Sequence, residues 1–399
     1  MGLRAILKKL GILRLIGHAR KDHLLGLELP RVYRKYCNQP VDPNKVLFVE
    51  YRSAEITDSL RLLYDAVKDE KAVHTHFLRS GFTHWKPFRK ASIELVKDAA
   101  TASVIFLDDT NDVISCLPLR PETKVIQVWH ACGAFKKFGM STADLKFGQD
   151  RKYQQRHPGY ANLSCVTVSS PEVAWAYEEA MNLKDHPEVI KALGVSRTDV
   201  FFDQEKIRRG REKLEQAFPA AAGKKVILYA PTFRGGVSDA YAPSLDYEML
   251  YKLLGKDTVV VTKHHPFVRS LPVLPEKLNG SFVWDATGKM EIEDLLFAAD
   301  ICISDYSSLV FEYSLLDRPM LFYAPDLDDY YDWRGFYYDY QDMTPGRVCK
   351  NMEELAEELT GLEQNRDKAL QEVAAFREKF MSACDGHSTE RILQEAFQK

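Results

Sequence analysis

The sequence predicts an α/β chain built from two doubly wound domains with a cleft between them, preceded by an amphipathic helical segment at the N-terminus. Three observations support this prediction. The chain has 399 residues, which exceeds the usual size of a single hydrophobic core. Its apolar runs are short and nearly continuous, as in strands that are buried on both faces of a parallel sheet. Helical patterns separate these runs, which is the order of elements in a parallel α/β sheet.

Composition limits the classes of function. Hydrophobic residues make up 45% of the chain, and the formal net charge of -3 gives no general attraction to nucleic acid, which is therefore not expected as a partner. The scattered cysteines contain no CxxC pair, so we expect a reduced, cytosolic chain without a zinc site. No apolar stretch reaches the roughly 18 to 20 residues of a spanning helix, so we expect the protein to stay on the cytoplasmic side of any membrane.

The first segment, residues 1–42, departs from this neutral charge. Met1 to Lys21 carries arginines and lysines but no acidic residue. Apolar residues recur in it at helical spacing, namely Leu3, Ile6, Leu7, Leu10 and Leu13. An apolar face flanked by cations is typical of a helix that lies on an anionic membrane surface. The alternative interpretation is an ordinary helix that is docked on its own domain.

The two domains are expected at residues 43–222 and 223–399. The apolar runs of the first domain cover residues 45–51, 103–109, 124–130 and 165–170. Those of the second domain cover residues 225–233, 258–266, 281–286, 301–308 and 319–325. A charged helical stretch from Gln204 to Phe218 separates the two series, and helical patterns over 352–380 and 389–397 are expected to pack back across the junction.

Ligands of open parallel sheets bind at the carboxyl ends of the strands, so polar residues that follow the apolar runs are candidates for the site. Ser307 and Ser308 follow the run that ends in "SDYSS", at the start of a predicted helix, where free N–H groups and the helix dipole favour an anion. Asp305 belongs to the same segment. Glu312 lies one helical turn beyond and can accept hydrogen bonds from ribose hydroxyls. The alternative is a serine that caps the helix and a solvated surface acid.

Two further runs of the second domain end in phosphate-binding residue types. His264, His265 and Pro266 terminate one strand, and a histidine there can donate to a phosphate oxygen. Thr232 and Arg234 follow another, and the arginine offers a planar fork of donors beside Gly235 and Gly236. Each residue alone is more often structural. Because three strand ends of one domain converge, the sequence predicts a nucleotide diphosphate site.

The first domain supplies a candidate base. His130 ends a strand, and a neutral imidazole can take a proton from an acceptor hydroxyl; a buried structural histidine is the alternative. The glycine-flanked loop behind it contains Lys136 and Lys137, which either bind acceptor phosphate or are solvated. The segment "LDDTND" at 107–112 is interpreted as a turn rather than a metal site, and no P-loop pattern surrounds Gly235 and Gly236.

These motifs together resemble the CDP-glycerol glycerophosphotransferase family of wall teichoic acid primases and polymerases. The resemblance runs from about Val128 to Asp339 and includes "VWHACGAFKKFG", "GVSRTD", "YAPTFRGG", "KHHPF", "ISDYSSLVFEYSLLDRPMLFYAPDL" and "RGFYYDY". It implies a GT-B fold with two Rossmann-like domains, His130 as the base and His265 as a ligand of the pyrophosphate. The chain has Ala131-Cys132-Gly133 where many members carry Gly-Thr-Pro, and Lys263-His264 where Arg-Leu often precedes the second histidine.

The resemblance implies transfer of sn-glycerol phosphate from CDP-glycerol to a hydroxyl of a lipid-linked disaccharide or short glycerol-phosphate primer, with release of CMP, at the cytoplasmic face of the cell membrane. The length favours a primase. No cofactor and no catalytic metal are expected. The rival hypotheses are a CDP-ribitol transferase, a GT-B sugar-nucleotide glycosyltransferase and a non-catalytic membrane scaffold. The acceptor, the number of units added and the oligomeric state, a homo-oligomer included, stay open.

Overall fold

The computed structural model describes residues 12–398 except residues 82, 144, 146, 147, 149, 236–239 and 330–334. Two parallel sheets of six strands each form its framework. The predicted α/β class is therefore confirmed, and the two sheets correspond to the two series of apolar runs. None of the helices in the described part of the chain is long and apolar enough to cross a membrane.

The first sheet has the strand order β2-β1-β3-β4-β5-β6. Its strands are β1 (Asp42–Glu50), β2 (Ala72–Phe77), β3 (Ala102–Leu107), β4 (Lys124–Gln127), β5 (Cys165–Thr167) and β6 (Ile190–Lys191). Strands β2 and β6 were not predicted, because β2 is a partly exposed edge strand with alternating polarity and β6 is only two residues long. All strands of this sheet are parallel, but successive strands are added on one side of β1 up to β2 and on the other side from β3 onward. At this reversal point the connections after β1 and β3 lead to opposite faces of the sheet and leave a crevice.

The second sheet has the strand order β12-β11-β10-β7-β8-β9. Its strands are β7 (Lys225–Ala230), β8 (Thr258–Thr262), β9 (Val283–Asp285), β10 (Ile301–Ser304), β11 (Met320–Tyr323) and β12 (Val348–Cys349). The short strand β12 was not predicted. The reversal here lies between β7 and β10, which places the segments after these two strands side by side. The predicted candidates Thr232 and Asp305 lie in those segments.

Helices cover the faces of both sheets. In the first half of the chain they are α1 (Ile12–His23), α2 (Leu29–Tyr36), α3 (Asp58–Val67), α4 (Trp85–Ala99), α5 (Asp112–Ser115), α6 (Arg151–Arg156), α7 (Ala174–Met181) and α8 (Gln204–Ala217). A π-helical turn, Leu24–Glu28, joins α1 to α2. In the second half they are α9 (Tyr247–Leu254), α10 (Ile292–Ala298), α11 (Leu309–Tyr313), α12 (Tyr340–Met343), α13 (Met352–Gly361), α14 (Arg366–Met381) and α15 (Ser388–Phe397).

Helix α1 contains the end of the predicted membrane segment. Its Lys21 forms an ion pair with Asp112, and Asp22 binds His157 Nε2 at 2.5 Å. Lys21 is therefore engaged with the first domain, in agreement with the alternative of a docked helix for this part. Residues 1–11, which hold most of the predicted apolar face, lie outside the described residues, so the membrane prediction for them stays a prediction.

The last two helices contact the first domain. The Ser169 hydroxyl donates to the main-chain oxygen of Phe380 in α14 at 2.7 Å. Ile392 of α15 is fully buried in the hydrophobic cluster that contains Val46 and Phe48 of β1. The chain thus crosses from the second domain back to the first, and these contacts link the two sheets.

Candidate active site

A cavity of about 1480 Å³ opens at the carboxyl ends of the first sheet. Loops of the first domain form most of its lining, and His265 and Phe267 of the second domain complete it. His130 also lines this cavity. The structure therefore brings the two histidines that were predicted as catalytic residues into one cavity.

The side chain of His130 is oriented by the main chain. Its Nδ1 lies 2.8 Å from the carbonyl oxygen of Asp108, and because a carbonyl oxygen only accepts, Nδ1 must carry the proton. In the neutral ring Nε2 then presents a lone pair. The preceding residue, Trp129, has a φ of 58°, a conformation that costs a non-glycine residue about 1 to 3 kcal/mol. The Trp129 N–H donates to Gln127 Oε1 at 3.0 Å, which helps to hold this strained turn.

His265 has the opposite arrangement. Its Nδ1 accepts the main-chain N–H of Phe267 at 3.1 Å, so the neutral ring carries its proton on Nε2. Burial, with a contribution from the charge of Lys136, lowers the pKa of His265 and favours the neutral form. The ring of Phe233 lies 4.8 Å from the imidazole and packs against it. His265 is thus placed to donate a hydrogen bond from Nε2.

Arg234 does not point its fork into the cavity. Its Nε and Nη2 bind both oxygens of Asp326 at 2.5 and 2.8 Å, and Nη1 lies 2.9 Å from Asp305 Oδ2. The residue is only 5% exposed. Carboxylates engage the donors of this guanidinium, and its direct contact with phosphate stays a prediction.

Asp305 and Thr232 join the two segments at the reversal point of the second sheet. Asp305 is fully buried, and its Oδ1 accepts the N–H groups of Thr232 at 2.8 Å and of Tyr306 at 2.6 Å. Thr232 Oγ1 is buried and has no hydrogen-bond partner among the described residues. Ser307 and Ser308 lie partly exposed just before α11, and the Ser308 side chain makes no capping bond to that helix. Two hydroxyl-bearing segments thus lie together at this strand end.

Glu312 lies at the contact between the domains. Its carboxylate forms an ion pair with Arg197, which belongs to the "GVSRTD" motif of the first domain, and only 4% of the residue is exposed. Cys132 Sγ lies 3.8 Å from the same oxygen. The expected contact of Glu312 with ribose stays a prediction. The sequence analysis quoted the motif of Arg197 but did not assign this arginine a partner.

The loop that follows His130 is held by the second domain. Lys137 N donates to Gly335 O at 3.2 Å and Tyr337 N donates to Phe135 O at 3.1 Å, which pairs the loop with the "RGFYYDY" motif. Lys137 lines the cavity, and the charge of Lys136 acts on His265. Both predicted lysines therefore lie in the region of the two histidines.

Glycine is required at one position of this loop. Gly133 has a φ of 62° and packs directly against the Phe311 ring of the second domain. A Cβ atom there would clash with the ring, so the close approach of the two domains depends on this glycine.

A buried pair of carboxyl groups beside His130 was missed. Glu50 is the last residue of β1 and Asp108 follows β3, at the reversal point of the first sheet, and they are 1% and 6% exposed. Thr57 binds both, with its N–H on Glu50 Oε1 at 2.6 Å and its hydroxyl on Asp108 Oδ2 at 2.9 Å. Burial and the charge of Glu50 raise the pKa of Asp108 to about 7. The sequence did contain an indication, an acid at the end of a buried strand, but "LDDTND" was interpreted only as a turn.

Comparisons with known proteins agree with this architecture. Residues 31–398 match the model of a family described as CDP-glycerol:poly(glycerophosphate) glycerophosphotransferase. A teichoic acid ribitol-phosphate primase of Bacillus spizizenii is 35% identical over 369 residues, which cover 88% of this chain and 90% of that protein. A teichoic acid glycerol-phosphate primase of Bacillus subtilis is 30% identical over 353 residues, which cover 88% of this chain and 87% of that protein.

The fold also matches a solved structure. The wall teichoic acid polymerase TagF superposes with a TM-score of 0.73 at 20% identity, over 99% of this chain and 98% of that one. At this identity the likeness supports the fold, a GT-B-like pair of α/β domains.

Proposed function

Because this chain belongs to the CDP-glycerol:poly(glycerophosphate) glycerophosphotransferase family, we propose that it transfers a polyol phosphate from a CDP-activated polyol to a hydroxyl of a lipid-linked acceptor in teichoic acid biosynthesis. One observation carries the proposal for the chemistry. A single cavity contains His130, with a lone pair on Nε2, and His265, with a proton on Nε2. The first histidine suits a base and the second suits a donor to phosphate.

In the proposed reaction, Nε2 of His130 takes the proton of the acceptor hydroxyl while the oxygen of that hydroxyl attacks the β-phosphorus of the donor. A new phosphorus–oxygen bond forms to the acceptor, and the bond from the β-phosphorus to the bridging oxygen breaks. CMP leaves with the electron pair of that bond. A hydrogen bond from His265 to the diphosphate stabilises the charge that develops on it.

The remaining residues of the second domain hold the donor in this proposal. Ser307 and Ser308 bind the diphosphate through their hydroxyl and main-chain N–H groups, and Thr232 binds it through its hydroxyl group, which has no partner among the described residues. Arg234 acts indirectly, because its ion pair with Asp305 positions the segment of Thr232. The ribose contact of Glu312 stays a prediction, since Arg197 is the partner of its carboxylate.

The donor is either CDP-glycerol, which the sequence analysis favoured, or CDP-ribitol. The relatives give the second candidate specific support. The ribitol-phosphate primase of Bacillus spizizenii is 35% identical to this chain, whereas its glycerol-phosphate counterpart in Bacillus subtilis is 30% identical. Both enzymes align over nearly their whole length, so coverage does not separate them.

Addition of one or a few units is favoured over long polymerisation. The aligned region covers 90% and 87% of the two primases but 56% of a poly(ribitol-phosphate) polymerase of Bacillus spizizenii. In this proposal the transfer takes place at the cytoplasmic face of the cell membrane, where the acceptor lipid is found.

The proposal is tested by incubation of the protein with CDP-glycerol, CDP-ribitol or a nucleotide sugar and with lipid-linked acceptors. One acceptor bears the disaccharide alone and one is already primed with glycerol phosphate. CMP is counted and the products are weighed by mass spectrometry. Transfer from one of the two donors with stoichiometric CMP is expected. Turnover of a nucleotide sugar in place of both donors would instead identify a glycosyltransferase, and binding without any turnover would identify a scaffold.

A further inference from the structure

A short stretch of the second domain exposes three large apolar side chains beside the active-site cavity. Residues 267–273, here called the apolar loop, lie beyond the end of β8 and begin two residues after His265. Phe267, Leu271 and Val273 are 38%, 38% and 94% exposed. Val268 is buried and Leu274 packs against the core of the domain, so the loop is anchored from within. Single exposed apolar side chains are common, but three within seven residues concentrate apolar surface in one loop.

The composition of the apolar loop fits the surface of an anionic bilayer. Its charged residue is Arg269, which is exposed, and the sequence has no acidic residue from His264 to Pro275. Pro266, Pro272 and Pro275 restrict the backbone, which lowers the entropy that is lost when the loop is ordered in an interface. Apolar side chains around a cation match a surface of acyl chains and anionic headgroups.

An exposed aromatic residue extends this surface. Tyr241 is 59% exposed, and its main chain pairs with that of Arg234 at 2.8 and 3.0 Å. Phe233, the neighbour of Arg234, packs against Phe267 with 5.5 Å between the ring centroids. Tyr241 therefore lies on the segment that supports the apolar loop, and tyrosine is typical of the boundary between headgroups and acyl chains.

We propose that the apolar loop inserts into the surface of an anionic membrane and thereby brings the cavity that contains His130 and His265 to a membrane-embedded acceptor. The inference rests on the proposed function for the nature of that acceptor. Continuity supports it, since Phe267 both belongs to the loop and lines the cavity. A membrane contact at this position would let a lipid-linked hydroxyl reach His130 without leaving the bilayer surface.

The test compares the Leu271→Asn/Val273→Asn double variant with wild type in cosedimentation with vesicles of phosphatidylglycerol and phosphatidylcholine. Neither residue lines the cavity. The matched control is Leu253→Asn, an equally exposed leucine (37%) on α9. The double variant should bind about tenfold more weakly at high salt, where charge attraction is screened and apolar contacts dominate, and the control should bind like wild type. Equal binding by all three proteins would overturn the inference.

Insertion itself has a spectroscopic readout. Tryptophan introduced by Val273→Trp should be quenched by brominated acyl chains, beyond the quenching of the native tryptophans, and tryptophan introduced by Leu253→Trp should not. A Val273→Trp protein that binds vesicles without added quenching would contradict insertion and would leave a partner protein as the occupant.

Two activity arms separate this inference from the proposed function. The double variant should release CMP at the wild-type rate with a soluble acceptor analogue and more slowly with the bilayer-embedded acceptor. If the double variant has wild-type rates on both acceptors and unchanged vesicle binding, insertion of the apolar loop is wrong, whereas the proposed transferase activity is unaffected. If vesicle binding depends on the apolar loop but the wild-type protein never releases CMP, the proposed transferase activity is wrong, whereas insertion of the loop is supported.

Discussion

The imidazole of His130 donates its Nδ1 proton to the main-chain oxygen of Asp108 at 2.8 Å. The proposed base is thus oriented by the backbone of the loop after β3, while the carboxyl group of the same Asp108 is bound by Thr57. A substitution of the Asp108 side chain therefore leaves the hydrogen bond to His130 in place. The effect of the buried carboxyl pair can be measured separately from the orientation of the base.

Asp108→Asn should change the pH dependence of stability. Burial and the neighbouring Glu50 raise the pKa of Asp108 from 3.8 to about 7, so the folded protein retains a proton that the unfolded chain has lost. The contribution of Asp108 to the free energy of unfolding of the wild type is most favourable below about pH 4, where Asp108 is protonated in both the folded and the unfolded state. This contribution declines as pH rises through 7. The free energy of unfolding of the variant minus that of wild type should therefore be about 1 to 3 kcal/mol larger at pH 8 than at pH 4.

Urea unfolding at several pH values measures this difference. Glu50→Gln serves as the companion variant, because removal of the Glu50 charge should lower the pKa of Asp108 and reduce the dependence on pH. If the free energies of unfolding of wild type and Asp108→Asn change in parallel with pH, the folded protein does not retain a proton on Asp108 near neutral pH.

His265→Ala should weaken donor binding and slow turnover together, because a hydrogen bond to a charged phosphate is worth about 1.5 to 3 kcal/mol. His265→Gln should restore part of the binding, since its amide N–H can replace the Nε2 donor. Calorimetry with CDP-glycerol and CDP-ribitol measures binding directly. If the alanine variant binds both donors as well as wild type does, the diphosphate lies elsewhere.

Arg234→Ala should first affect stability. The substitution leaves Asp305 and Asp326 buried or half-buried without their cation, a loss that typically costs about 3 to 5 kcal/mol. Arg347→Ala is the matched control, because that arginine is 44% exposed and pairs with Glu357 on the surface, where about 1 kcal/mol or less is expected. Denaturation midpoints compare the two. If Arg234→Ala is stable but binds the donor more weakly, the result supports the direct contact between Arg234 and phosphate that the sequence suggested.

Deletion of residues 1–11 should lower binding to anionic vesicles and leave the ion pair of Lys21 with Asp112 intact. This binding should fall as salt rises, because screening limits surface charge to about 8 Å near physiological ionic strength. Activity on a soluble acceptor analogue should be spared. A truncated protein that sediments with vesicles as fully as the intact one would show that this segment is an ordinary packing helix.

The elements that the sequence predicted were those with strong local patterns. Buried strands such as β7 and β8 read as continuous apolar runs, and polar residues at their ends identified His130 and His265 as candidates. Edge strand β2 was not predicted, because its alternating, partly exposed residues form no such run. The pattern showed where the strands lie but not at which residue they end, so residues 305–308 were included in a strand that stops at Ser304.

Partners of side chains across the chain could not be predicted. Arg234 and Asp326 are 92 residues apart, and the fork that sequence reasoning gave to phosphate is bound to that carboxylate. Arg197 and Glu312 are also far apart in the sequence, and they pair across the two domains. Such contacts depend on how strands are ordered within a sheet and how the domains dock, which no local pattern encodes. The Glu50 and Asp108 pair likewise exists only because β1 and β3 are neighbours.

The central claim is that Nε2 of His130 removes the proton of the acceptor hydroxyl. The most direct test is CMP release by His130→Ala with saturating donor and lipid-linked acceptor, compared with wild type and with His186→Ala, an exposed histidine of the same cavity lining. His130→Ala should lose turnover by at least about 100-fold while it retains donor binding, and His186→Ala should stay active. Turnover near the wild-type rate in His130→Ala would contradict it.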